Sequence, residues 1–360
     1  MKLWDLGRYE IPDEILESWI TRMGEELLPI QERAIKRHRI LEGKSLIISS
    51  PTSSGKTFAG EVAAVKVAME KKKAAYLVPL KSLAEEKYLD FKEKYERFGI
   101  KVVVSSRDHR EYDPEIEEGN FQIAIIVYEK MAQLLVKNPL LLKNISLIVV
   151  DELQEIGDPA RGGGLELTLT KIVTSPYQPQ LLGLSAVLGN AESLARWLDA
   201  ELLLHEKRPV ELHQGVLYKG IFHYKTYNTF ERGEESLVDF DSDNISDVVL
   251  ANALHLLKQG EQILIFLPSK REAMALAYTL AENASLPKAE NTLKELSILE
   301  DTSLKEALTH CLESSVAFHH ADLSREERQV IERYAREGDN RPHRHPAFLL
   351  SRRDKKPGCD

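Results

Sequence analysis

The 360 residues predict an α/β protein with parallel sheets arranged in two successive domains. Three observations carry this. From residue 46 onward, short apolar runs alternate with amphipathic helical stretches, the pattern of a parallel sheet covered on both faces. Residues 45–57, Ser-Leu-Ile-Ile-Ser-Ser-Pro-Thr-Ser-Ser-Gly-Lys-Thr, run from an apolar strand through small residues into Gly-Lys-Thr and a helix start, the layout of a phosphate-binding loop. After an acidic polar stretch the alternation begins again at residue 245. A chain of this length also exceeds what one hydrophobic core usually serves.

Residues 1–44 read as a helical preface. Ile15, Trp19, Met23, Leu27 and Leu28 recur at helical spacing, and Leu28-Pro29-Ile30-Gln31 leads into a second helix over 32–41 that Gly43 closes. Gln31, shortly before the phosphate-loop strand, is placed to bond a planar base through its amide. In the loop itself, Pro51, Thr52, Ser53, Ser54, Gly55, Lys56 and Thr57, backbone N–H groups and the positive end of the next helix (58–71) favour a polyphosphate. Gly55 admits close backbone approach, Lys56 reaches the terminal phosphates, and the Thr57 hydroxyl binds Mg²⁺. Ser50 stands where the general pattern has its first glycine.

Strands follow at 75–78, 102–105, 123–127 and 147–150, separated by helices such as 81–98 and 130–136. Ligands of such sheets sit at the carboxyl ends of the strands. The strand at 147–150 ends in Asp151-Glu152, so Asp151 is expected to hold Mg²⁺ through water and Glu152 to orient and deprotonate an attacking water. Asp-Glu after a strand is by itself a common helix start, and the phosphate loop upstream is what favours the catalytic reading. A further strand, 181–184, ends in Ser185-Ala186-Val187, small residues that fit a close approach to the acid pair, with Ser185 as a hydrogen-bond partner.

Beyond residue 205 the composition changes. A β-rich run over 210–224 and an acidic polar loop over 228–243 make 206–244 the expected linker and β-rich boundary. The second domain, 245–338, reads as helix 245–258, a stop at Gly260, strand 263–266, helix 269–280, a helical insertion over 286–312, strand 316–318, then His319-His320-Ala321-Asp322 and helix 325–337. Residues 339–360 read as an irregular basic tail without a strand-length β-run, and 1–205 as the first domain.

The composition, 43% hydrophobic and 29% charged, is ordinary for a soluble globular protein. No apolar run reaches a membrane span, and the N-terminus lacks signal-peptide character. Two cysteines, Cys311 and Cys359, cannot build a disulfide framework or a zinc site, so a reducing cytoplasm is the expected compartment. The net charge of −9 argues against indiscriminate coating of nucleic acid and leaves room for a local basic groove.

Taken together, these motifs resemble a superfamily 2 helicase of the Ski2-like group, most closely the archaeal DNA repair helicases of the Hel308/Hjm type, over residues 1–337. The resemblance rests on Leu28-Pro29-Ile30-Gln31 (Q motif), residues 51–57 (motif I), Val78-Pro79-Leu80-Lys81-Ser82-Leu83 (motif Ia), Tyr128-Glu129-Lys130 (motif Ib), Asp151-Glu152 (motif II), the loop from Arg161 to Glu166, and Ser185-Ala186-Val187 (motif III). Phe266-Leu267-Pro268-Ser269-Lys270-Arg271 and Phe318 to Ser324 resemble motif IV and the His-His-Ala-Gly-Leu signature. It implies tandem RecA-like P-loop NTPase domains that bind ATP and Mg²⁺ between them and single-stranded or forked DNA across their tops. ATP hydrolysis would drive translocation and unwinding, by a monomer, in DNA repair or fork processing. Lys81, Tyr128, Lys130 and Arg161 are then expected on loops at the nucleic-acid face. RNA helicases share every motif, so RNA stays open, and an ATP-binding module that does not hydrolyse is the other reading.

Four departures qualify the resemblance. Gln154 stands where the family has His, so Gln154 and Ser185 are expected to couple the acid pair to motif III. Val187 replaces a Thr. Asp322 replaces a Gly, a cost if that position needs a positive φ. After Gly338 the family continues with a strand, motif V, and motif VI with its arginine finger, whereas this chain becomes basic and Pro-broken. The expectation is therefore an N-terminal fragment, by frameshift or early stop near Gly338. Its second domain would be incomplete and aggregation-prone, and the chain would bind ATP–Mg²⁺ but hydrolyse it poorly and not unwind DNA.

Overall fold

An apolar run becomes a fully buried strand only where helices cover both faces, and the first half of the chain supplies both sets. A computed structural model describes residues 1–238, 242, 244–284, 286–337 and 347–351, and the chain divides into two units, Met1–Leu212 and His213–Asp360. The first contains α1 (Asp13–Met23), α2 (Pro29–Lys36), β1 (Leu46–Ser49), α3 (Lys56–Met69), β2 (Ala74–Val78), α4 (Lys81–Tyr95), β3 (Val102–Ser105), α5 (Asp113–Glu118), β4 (Ile123–Val127), α6 (Tyr128–Lys137), β5 (Leu147–Val150), α7 (Gly162–Val173), β6 (Gln180–Ser185), α8 (Ala191–Trp197) and β7 (Glu201–Leu204).

These strands make one seven-stranded parallel sheet in the order β3-β4-β2-β5-β6-β1-β7, the RecA-like arrangement. Alternate residues of each strand point to opposite faces. Leu46, Ile48, Leu147 and Val149 join Trp19, Phe58, Phe91 and Tyr95 from α1 to α4 on one face. Ile47, Ile148 and Val150 join Met131, Leu165, Leu169 and Leu194 from α6, α7 and α8 on the other. Near the centre, Gly60 lets α3 lie against the sheet, since a Cβ there would sit 2.9 Å from Leu184 and 3.0 Å from Val149. The helical preface is fastened by a buried chain of polar groups, in which Trp19 Nε1 donates to the Tyr95 hydroxyl (2.8 Å) and that hydroxyl donates to Glu61 of α3.

The second unit opens with an antiparallel sheet, β8 (His213–Tyr218), β9 (Ile221–Thr226) and β10 (Arg232–Ser236), in the order β10-β9-β8. It continues with α9 (Ile245–Lys258), β11 (Ile263–Leu267), α10 (Lys270–Asn283), α11 (Glu290–Ile298), α12 (Ser303–Leu312), β12 (Val316–His319), α13 (Arg325–Glu337) and β13 (Ala347–Ser351). The last strand lies between β11 and β12, parallel to both.

The structure differs from the sequence expectation in three places. The β-rich run expected over 210–224 appears as β8 and most of β9, but β10 lies in 228–243, expected as a polar loop. That strand is mostly exposed and charged, so no apolar alternation announced it. The tail was expected without a strand, yet its apolar run Ala347-Phe348-Leu349-Leu350 forms β13; the rest of 339–360 lies outside the described residues. Asp322 is not among the positive-φ residues, and its carboxylate pairs with Lys270 at 2.7 Å, so the strain foreseen there does not arise. Among the described residues no helix is long and apolar enough to cross a membrane.

Candidate nucleotide site

Sheet order brings three strand ends side by side, because β6 lies between β5 and β1. The phosphate loop leaves β1, the acid pair leaves β5, and Ser185 ends β6. Register fixes their heights, with Ser49 opposite Ser185 and Val150 opposite Gly183. The loop is a set of close contacts. Ser50 N–H donates to the Ser185 carbonyl (3.1 Å), the Ser50 and Ser54 hydroxyls are 2.7 Å apart, and Ser49 Oγ accepts from Leu188 N–H (3.2 Å). Two residues of the loop are left-handed, Ser53 at φ 65° and Gly55 at φ 87°. Gly55 is required twice over, since a Cβ would also lie 2.5 Å from Gln31 Nε2.

Gln31 is buried, and its amide is committed on both sides. Its Oε1 accepts from Leu28 N–H (2.8 Å) and its Nε2 donates to the Gly55 carbonyl (2.9 Å), so it caps α2 and fastens the loop. Lys56 is 6% exposed and donates to the Ser50 and Pro51 carbonyls at 3.4 Å each. Burial pulls its ammonium below the ordinary lysine range, against the pull of Glu152 and Asp151. Thr57 and Thr52 are exposed, and Arg208 reaches the Thr52 hydroxyl (3.1 Å).

Asp151 is buried at the end of β5. Its Oδ1 accepts from Glu152 N–H (3.1 Å), and its Oδ2 accepts from the Tyr76 hydroxyl (3.1 Å) and faces Lys87 Nζ (3.4 Å). Glu152 is held at φ 54°, an uncommon conformation for a non-glycine residue. Its carboxylate accepts from Gln154 Nε2, while Gln154 Oε1 accepts from Ser185 Oγ (3.0 Å) and Ala186 N–H (2.9 Å). One amide thus joins the acid pair to the end of β6.

The four residues expected at the nucleic-acid face behave differently. Tyr128 is 3% exposed and its hydroxyl donates to the Asp151 carbonyl, so it supports the acid pair and offers no ring to a base. Burial and the charges of Asp151 and Glu152 push its phenol well above the usual tyrosine range. Lys81, exposed, pairs with Asp108 (2.8 Å); Lys130 pairs with Asp113 (2.5 Å); Arg161 pairs with Glu155 (2.7 Å). Asp108 stands between β3 and α5 and Asp113 begins α5, a stretch whose role sequence reasoning missed. Lys87 was missed as well, although a lone lysine within the buried stripe Ala84, Tyr88 and Phe91 of α4 is a readable signal.

Residues 28–194 match the DEAD/DEAH box helicase family. The chain carries a DEAD/DEAH box helicase domain. Over 336 residues, 91% of its length, it is 38% identical to the ATP-dependent DNA helicase Hel308 of Thermococcus kodakarensis, of which it covers 28%. It is 36% identical to the Hel308 helicase of Pyrococcus abyssi over 92% of this chain and 44% of that protein. The Hel308 helicase of Methanococcus vannielii is also 36% identical, over 86% of this chain and 42% of its own length. The chain therefore spans less than half the length of these relatives. Helicases of this family use ATP, typically with Mg²⁺. The helicase domain fits that group: a loop that a Cβ at Gly55 would block, a buried lysine bonded to the loop, and a buried carboxylate at the adjoining strand end.

Proposed function

We propose that this chain is the nucleotide-binding part of an ATP-dependent DNA helicase. The observation that carries the reading is the hydrogen-bonded chain from Asp151 through Glu152 and Gln154 to Ser185, beside a loop whose buried Lys56 feels the charge of both acids. In this reading the N–H groups of residues 51–57 and the N-terminus of α3 bind the phosphates, with Lys56 on the terminal ones. Thr57 and Asp151 hold Mg²⁺, which supplies positive charge against the phosphoryl oxygens. The Glu152 carboxylate orients a water and takes its proton. Gln31 steadies the loop at Gly55, its amide being committed to Leu28 and Gly55.

Gln154 passes the position of Glu152 to the end of β6, and so couples the nucleotide to strand movement. Lys81, Lys130 and Arg161 take DNA phosphates, exchanging Asp108, Asp113 and Glu155 for them. The same three ion pairs favour a second reading, a nucleotide-binding module whose nucleic-acid face is closed. ATP turnover with and without single-stranded DNA, for the unmodified chain and Lys56→Ala, separates the two. DNA-stimulated turnover that falls by ~10²-fold or more in Lys56→Ala supports the helicase. Lys56-dependent binding without turnover supports the module, and ATP binding indifferent to Lys56 sinks both.

A further inference from the structure

Lys87 of α4 has no part in the reading above, yet it touches the centre of the site. Its Nζ lies 3.4 Å from Asp151 Oδ2, 4.5 Å from the centre of the Tyr76 ring and 5.9 Å from that of Phe91. The side chains are 15% and 11% exposed, so water does little to satisfy either charge. A lysine in the buried stripe of a helix is costly unless a partner and a polarisable surface receive it. Here Asp151 is the partner and the two rings are the surface. The Tyr76 hydroxyl and Glu152 N–H supply two neutral donors to the same carboxylate, and Lys87 supplies its only side-chain cation within 4 Å among the described residues.

We propose that Lys87 is a positioning residue for Asp151 that sets how strongly nucleotide binding depends on a divalent cation. The inference rests on the nucleotide reading of the site. With Lys87 in place, the charge of Asp151 is balanced from the α4 side, and a polyphosphate meets one uncompensated acid, Glu152, in place of two. Removing Lys87 leaves both carboxylates facing the phosphates, a repulsion that Mg²⁺ relieves and a chelator does not. In a half-buried site a unit charge a few ångströms away changes anion affinity by about tenfold or more.

The test is titration of a fluorescent ADP analogue into the full chain, in MgCl₂ and in EDTA. The chain is compared with Lys87→Met, Lys87→Arg, Asp151→Asn and the double variant Lys87→Met/Asp151→Asn. The ratio of affinities in Mg²⁺ and EDTA is expected to rise about tenfold in Lys87→Met. It should stay near the original in Lys87→Arg, and Lys87→Met should have no further effect once Asp151 is Asn. Equal weakening in both buffers, or an unchanged ratio, overturns the proposal and leaves Lys87 as packing. Lys87→Gln carries the same expectation, and the same power to overturn, should Lys87→Met not fold. Undiminished ADP binding by Lys56→Ala would instead remove the nucleotide reading itself.

Discussion

The two parallel sheets of this chain are made of similar sequence and end in different surroundings. In β1, Leu46, Ile47 and Ile48 are all 0% exposed, because helices lie on both faces. In β11, Ile263-Leu264-Ile265-Phe266-Leu267 is at least as apolar, yet Leu264 is 53% and Phe266 63% exposed, while Ile263, Ile265 and Leu267 pack on the helices of the second unit. An apolar strand is therefore a statement of what needs cover, and the helices decide whether it is covered. Within the described residues, β11 has cover on one face only, whereas Val316, Ala317 and Phe318 of β12 are all buried.

The largest expected effect that sharpens this contrast is in the first sheet. Ile48→Ala should cost about 2–5 kcal/mol, since Ile48 is enclosed on all sides. Chemical denaturation followed on the transition that ADP stabilises checks it, and a cost like that of a surface change would break the comparison. In the second sheet, Leu264→Ser with Phe266→Ser should change stability by no more than ~0.5 kcal/mol per site and reduce aggregation on concentration. A large loss of stability would mean that this face is covered after all.

The smallest effect is at the edge of the first unit, where His109 joins Glu85 (2.6 Å) and Glu111 (2.7 Å). Burial alone disfavours its protonation, but the hydrogen bond to Glu111 and the charge and hydrogen bond of Glu85 outweigh this and raise its pKa above 6.5. A raised pKa stabilises the clamp fully below pH 6.5 and lets it go as pH rises through the folded-state value. Trypsin cleavage at the exposed Arg107 and Arg110 should accordingly be slower at pH 6 than at pH 8.5 once corrected for the enzyme's own profile, about twofold or more. His109→Gln should remove the difference.

These regions also mark where the sequence could be read. The five strands 46–49, 74–78, 123–127, 147–150 and 180–185 are apolar runs bounded by turn residues, and their ends carry the loop, the acid pair and Ser185, so the grouping of these three segments was legible in the spacing. In the antiparallel sheet only β10 was opaque, because a mostly exposed, charged strand leaves no apolar alternation, and β13 was opaque because its run is short and follows a Pro-broken stretch. Tyr128 was misread since an aromatic after a strand end has two directions to point, and only packing against Asp151 chooses. Lys87 and the acids facing Lys81 and Lys130 come from elements distant in sequence, which spacing does not connect.

Gln154 has a consequence of its own. The link it makes between Glu152 and the end of β6 runs through an amide, which neither gains nor loses a proton in water at any biological acidity. An imidazole in the same position would change from one donor to two near neutrality and would reverse its role toward Ser185. Here the direction of every hydrogen bond is fixed, Nε2 toward the acid and Oε1 toward the hydroxyl. The connection is thus insensitive to pH.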